Sequence, residues 1–162
     1  MKRVQLAIGD VFEVPLGDNS KGYFQFIAID DSQLRSDVIR VFSRRCSQSD
    51  EPELNDIVQD RVEFYAHCVI NVGIKGDYWR KAGRINISDI EAGKVLFRST
   101  LDFGRSWIDV SNRWEVWRIS QPRKFVGELP KSLVSAEYGT VFPPYEIVYR
   151  MKYGRYKQDF QR

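Results

Sequence analysis

The segment Tyr23-Phe-Gln-Phe-Ile-Ala-Ile29 constrains this chain most, because six of its seven residues are aromatic or aliphatic. A run so dense in ring and β-branched side chains belongs in a strand, and one this apolar is expected to be buried on both faces. Gly17-Asp-Asn-Ser-Lys-Gly22 precedes it and supplies the glycine and Asx residues of a turn. Before the turn, Val11, Phe12, Val14 and Leu16 read as a first strand, interrupted by Glu13, that Pro15 either ends or places at an edge. Val38-Ile-Arg-Val-Phe42 reads as a third, so the opening forty residues predict a β-meander.

Beyond it, polar Ser43 to Asp60 reads as a loop and a short helix around Glu53 to Asp60. Val62 to Gly73 predicts a long strand, with Asp77 to Ile85 pairing back on it across a glycine-containing turn. Further strands are expected at Val95–Arg98 and Trp114–Ile119. Pro122, Pro130, Pro143 and Pro144 then punctuate the last forty residues, where Lys131–Tyr138 and Pro144–Tyr153 read as short helices, the second with proline in its first turn. The expected class is mainly β (a β-rich α+β fold): a curved antiparallel sheet or small barrel with a few short helices, mostly toward the C-terminus. A chain of 162 residues with ten Phe, eight Tyr and four Trp suits one domain, 1–162, with 120–162 a mixed helical and loop basic extension packed on or trailing from the β core.

No run of about 18 apolar residues occurs, and Met1-Lys-Arg-Val-Gln-Leu-Ala-Ile8 lacks the apolar stretch and cleavage site of a leader, which points to a soluble cytoplasmic protein without membrane contact. Cys46 and Cys68 form no Cys-x-x-Cys pair, so no metal and no cofactor is expected. Cys68 reads as a buried small hydrophobe, and Cys46 as incidental in a polar loop. Charge is lopsided. Asp10 to Glu63 holds twelve acids and six bases, so that window carries −6 and, against a total of +3, the remainder carries +9.

Catalysis needs a positioned base, and His67, the single histidine, sits in strand context that favours a core imidazole. The Asp30-Asp31 and Asp10/Glu13 carboxylates could share a proton, yet adjacent aspartates after a strand more often cap a turn. The glycines lie in hairpins rather than before helices, which leaves phosphate binding unsupported. Nucleic-acid binding has the stronger claim of the two, because Tyr149, Arg150, Lys152, Tyr153, Arg155, Tyr156 and Lys157 interleave bases with rings. Arg98 to Arg118, with Trp107, Trp114 and Trp117, has the same flavour, although arginine and aromatics also suit protein interfaces and cores. Against it stands a face of loop acids able to attract a basic protein: Asp30, Asp31, Asp37, Asp50, Glu51, Glu53, Asp56 and Asp60.

The order of segments adds a resemblance. Gly9-Asp-Val-Phe-Glu-Val-Pro-Leu-Gly17, the aromatic strand after it and the later Gly76-Asp-Tyr-Trp-Arg-Lys-Ala-Gly83 resemble the immunity protein 26 family. That family opens on Gly-Asp-x-Phe-x-(Ile/Val)-Pro-Leu, continues into a Tyr/Phe-rich strand and carries a Gly-x-Trp segment ending in an apolar-Gly pair. Here two residues separate Gly76 from Trp79, and Ala82-Gly83 replaces the more usual branched residue before glycine. The likeness spans about Gly9 to Ile87. It implies a bacterial, non-catalytic protein encoded beside a polymorphic or contact-dependent toxin, whose partner is that toxin domain, basic and nuclease-like if it acts on nucleic acid. It carries over no catalytic residue, and Gly9, Asp10, Phe12, Pro15, Gly17, Gly76, Trp79 and Gly83 read as scaffold. The competing reading is a nucleic-acid-binding or regulatory β-barrel module that uses the basic aromatic C-terminal segment.

Overall fold

A computed structural model describes residues 4–88 and 92–162; Met1 to Arg3, read above as the start of a leaderless N-terminus, lie outside the described residues. The opening meander is as expected. Strands β1 (Asp10–Pro15), β2 (Ser20–Asp30) and β3 (Ser36–Phe42) pair antiparallel in sequence order. Pro15 ends β1 rather than marking an edge, since β1 lies between β2 and a later strand. β2 is buried along nearly its whole length, as a strand with two apolar faces must be. A two-residue strand, β4 (Cys46–Ser47), pairs with the start of β2 and brings Cys46 Sγ to 4.0 Å from the Tyr23 hydroxyl. Helix α1 (Leu54–Val58) follows, inside the expected range.

The chain then departs from its reading. β5 (Val62–Cys68) is a strand, but Ile70–Lys75 turns into helix α2 instead of continuing it. Tertiary contacts override the β-branched composition: Asp37 Oδ2 accepts the Ile70 amide at 2.8 Å, and the Trp79 indole donates to the Ile70 carbonyl at 3.0 Å. β6 (Arg80–Arg84) pairs with β1, not with β5. With β11 (Val141–Phe142), which joins β5 in parallel, these strands form a seven-stranded sheet ordered β11-β5-β3-β2-β1-β6, β4 lying off this path against β2. A second sheet, β10-β7-β8-β9, contains β7 (Leu96–Thr100), β8 (Trp114–Arg118), β9 (Lys124–Gly127) and β10 (Glu137–Tyr138). β10 runs parallel to β7, so both sheets are mixed rather than purely antiparallel, and neither closes into a barrel.

Lys131–Tyr138 is only in part the expected helix: a 3₁₀ turn at Lys131–Leu133 gives way to β10. Helix α3 (Pro144–Tyr153) has the predicted bounds, with Pro144 in its first turn and Gly154 closing it at φ 75°. Pro144, Ile147 and Met151 are buried at helical spacing, and Ile147 and Met151 belong to the main core, which includes Phe12, Phe24, Phe64, Trp79 and Phe142. No helix among the described residues is long and apolar enough to cross a membrane.

Candidate functional site

The two motif segments meet as one unit, the β1/β6 pair. Gly9 has φ +99°, and a Cβ there would lie 2.7 Å from the Ile85 carbonyl oxygen, so glycine is required twice over. The Gln25 amide donates to the carbonyls of both Gly9 and Ile85, at 3.1 and 2.7 Å. Asp10 is buried and accepts from the Ala7 amide, from Arg84 at 2.7 Å and from Lys81 at 2.9 Å. Burial alone would raise its pKa, but Arg84, Ala7 and Lys81 outweigh it and hold the carboxyl below its usual range. Glu13 is likewise shared, between buried Lys21 at 3.0 Å and Arg80 at 2.7 Å. Phe12 stacks on Phe24 at 5.0 Å, and Phe24 meets the Trp79 edge at 5.1 Å. Gly73 and Gly83 leave room for Trp79 and Leu54, whose atoms a Cβ would approach to 2.0 and 2.5 Å. Gly17 supplies φ +82° in the first turn, and Gly76 closes α2.

Asp30 and His67, a turn aspartate and a core imidazole by sequence, are joined in the structure. His67 Nε2 lies 2.8 Å from Asp30 Oδ2, and both side chains are wholly buried. The Trp117 indole donates to the same oxygen at 3.0 Å, while the Ser120 and Ser32 amides donate to Oδ1 at 2.8 and 2.9 Å. Burial would push the Asp30 pKa up, yet these bonds, led by His67, hold it down to about 2. Phe97 packs 4.0 Å from the His67 ring, so this polar centre clamps β2 and β5 of the larger sheet to β7 and β8 of the smaller. Its carboxylate accepts four bonds and reaches no solvent, so it fastens the two sheets from within. Cys68 is buried as expected, its thiol pushed well up by desolvation and by Asp37.

The eight acids proposed for binding are thus divided. Asp30 does not belong to any surface, because it is buried with its carboxylate bonded to His67 and Trp117. Asp37 is half-buried against the start of α2, where burial raises its pKa. Asp31 is exposed but pairs with Arg35, and Asp60 pairs with Arg44, each at 3.0 Å. The remaining four, Asp50, Glu51, Glu53 and Asp56, are all exposed and fall within seven residues that contain no base. Glu51 faces the basic edge strand β6 across a groove of about 370 Å³ that Arg80 and Lys81 also line.

The basic C-terminal residues do not form one face. Tyr156 is buried against Phe142 with ring centroids 3.8 Å apart. Arg150 pairs with Glu137 at 2.8 Å and lies over Phe64, so these two belong to the core and not to a nucleic-acid surface. Tyr149 is half-buried and its ring packs at a tilt against Tyr153, 4.5 Å between centroids, leaving Lys152, Tyr153, Arg155 and Lys157 as the exposed members. Among the described residues no group of three or more His, Cys, Asp or Glu is arranged to hold a metal ion.

Comparison with known proteins adds one result. The family model described as Immunity protein 26 matches residues 7–107, which include β1 to β7 and both motif segments. No curated protein and no solved structure matches the chain.

Proposed function

The chain belongs to the immunity protein 26 family, and we propose that it neutralises a cognate polymorphic or contact-dependent bacterial toxin in the cytoplasm by binding it, without catalysing a reaction. Family membership carries this reading. The proposed contact is the segment Asp50–Asp56 around α1, with Asp31 beside its arginine as a secondary member. Four exposed carboxylates within seven residues that contain no base attract a cationic protein surface, and a toxin acting on nucleic acid needs such a surface in its cleft. An interface of ordinary size would cover about 800 Å² on each partner, so neighbouring surface must also take part. The proposal treats 1–162 as one binding domain, supported by β10 and β11 from the last forty residues adding strands to the two sheets.

The test mixes the purified chain with an inactivated form of the toxin domain encoded beside it, and co-expresses the chain with the active toxin. A stable complex and rescued growth are expected. Undiminished toxicity in the presence of excess chain would contradict the reading.

A further inference from the structure

Residues 156–162, beyond α3, form neither helix nor strand, yet a groove in the rest of the molecule holds them along their length. Tyr156 is the first anchor. Its ring stacks on Phe142 with centroids 3.8 Å apart and meets Phe64 edge-on at 6.3 Å. Phe160 is the second, 4.2 Å from the Tyr138 ring and 6.1 Å from Phe103. Polar bonds fix the register between and beyond these rings. Buried Glu146 accepts the Lys157 amide at 2.8 Å, and the Gln161 side-chain amide donates to the Asp102 carbonyl at 2.9 Å. The Arg162 amide donates to the Asp109 carbonyl and the Ser111 amide to the Arg162 carbonyl, at 2.9 and 3.0 Å, a reciprocal pair like those between neighbouring strands. The Arg162 and Asp109 side chains are also ion-paired.

The link between this segment and the fold is short and open. Gly154, at φ 75°, turns the chain out of α3, and a Cβ added there would meet nothing within 4 Å. Arg155 after it is exposed, so the hinge Gly154-Arg155 has room to swing. Every anchoring contact named above is made beyond that hinge, and seating the segment on another copy would remake each of them. The groove also gains something by opening. The Tyr138 hydroxyl is buried, its ring against Phe160, and has no hydrogen-bond partner among the described residues, so lifting Phe160 gives water access to it. The structure itself identifies the occupant, because the groove is seen holding Tyr156, Phe160 and Arg162 at their spacing in this chain.

We propose that residues 156–162 are an exchangeable arm, and that the groove takes the same segment from a second copy of this chain, giving a two-fold dimer with crossed arms. The closed chain and the exchanged dimer share these contacts, so concentration and the hinge decide between them. A short hinge holds the arm at a high effective concentration beside its own groove, which favours the closed chain in dilute solution. Exchange takes over when copies are crowded, or when the hinge is too short to turn the arm back. The proposal stands apart from the toxin-binding reading, since none of the acids of Asp50–Asp56 takes part in these contacts.

Thiol linking between two variants of the full chain, both with Cys46→Ser, tests it. One carries Asp109→Cys and the other Arg162→Cys, at positions whose side chains pair in the closed chain. After incubation together at millimolar concentration, a short bis-maleimide should join them into a covalent heterodimer. The yield should exceed about ten-fold that obtained when Tyr153→Cys, exposed on α3, replaces Arg162→Cys. A chain carrying both Asp109→Cys and Arg162→Cys should link to itself in dilute solution, and failure there would overturn the seating of the arm and the proposal with it. Deleting Arg155 shortens the hinge, and light scattering should then show dimer at micromolar concentration where the parent chain is monomeric. A heterodimer yield equal to that of the Tyr153→Cys control would overturn the proposal whatever the deletion does. A parent-chain dimer that forms without linking residue 109 to residue 162 would assign self-association to another surface and overturn it as well.

Discussion

Two groups of acids from one negative stretch meet opposite fates. Asp10, Glu13 and Asp30 are buried and consumed by Arg84, Lys81, Lys21, Arg80 and His67, whereas Asp50, Glu51, Glu53 and Asp56 stay in solvent. The first group tells where the fold needs charge, and the second where the fold has left charge available. A net charge counted along the chain merges them. Separated, they say that the motif segments build the scaffold while the acidic loop and helix beyond β4 offer a surface.

The contrast can be broken first at Asp30. Asp30→Ala strands the His67 and Trp117 donors together with two amides, and should cost about 3–5 kcal/mol in urea unfolding. A loss below about 1 kcal/mol would make the centre ornamental. Next comes Gly9→Ala. It combines an unfavourable φ with an approach to backbone rather than to a yielding side chain, so a cost of about 1–3 kcal/mol is expected in the same measurement.

Those two positions also show how far the sequence could be read. Gly9 and Asp10 stand out as a motif, but their partners, Ile85 and Arg84, lie more than seventy residues away, and no local pattern announces that pairing. The meander was legible because turn residues and apolar runs alternate over short distances, and α3 because proline and glycine bracket it. α2 was not, because Val69-Ile-Asn-Val-Gly-Ile74 has strand composition and becomes helical only when Trp79 fills the space over Gly73. Two-residue strands such as β10 and β11 carry no periodicity at all. Of the candidate site, the acidic character was visible. Which acids remain exposed depends on three-dimensional neighbours, as Asp30 and Asp31 show by taking opposite sides.

A third prediction uses pH. The Asp30 pKa is about 2 in the folded chain and 3.8 as its ordinary value, so the unfolded state binds the proton more tightly. Its contribution is complete above pH 3.8 and is lost as pH falls toward 2, a swing of about 2 kcal/mol. The urea midpoint of the parent chain should fall across that window more steeply than that of Asp30→Asn, and parallel curves would refute the assignment. The smallest stability effect belongs to the exposed group, where Asp56→Lys should change unfolding free energy by less than about 0.5 kcal/mol.

The central claim is that the exposed acids, and not the buried ones, meet the toxin, and association kinetics test it most directly. Glu51→Lys, Glu53→Lys and Asp56→Lys together should slow association with the proposed toxin partner about ten-fold at low salt, and the difference from the parent chain should shrink as salt rises. Equal association rates at low salt would contradict the account and move the interface away from α1.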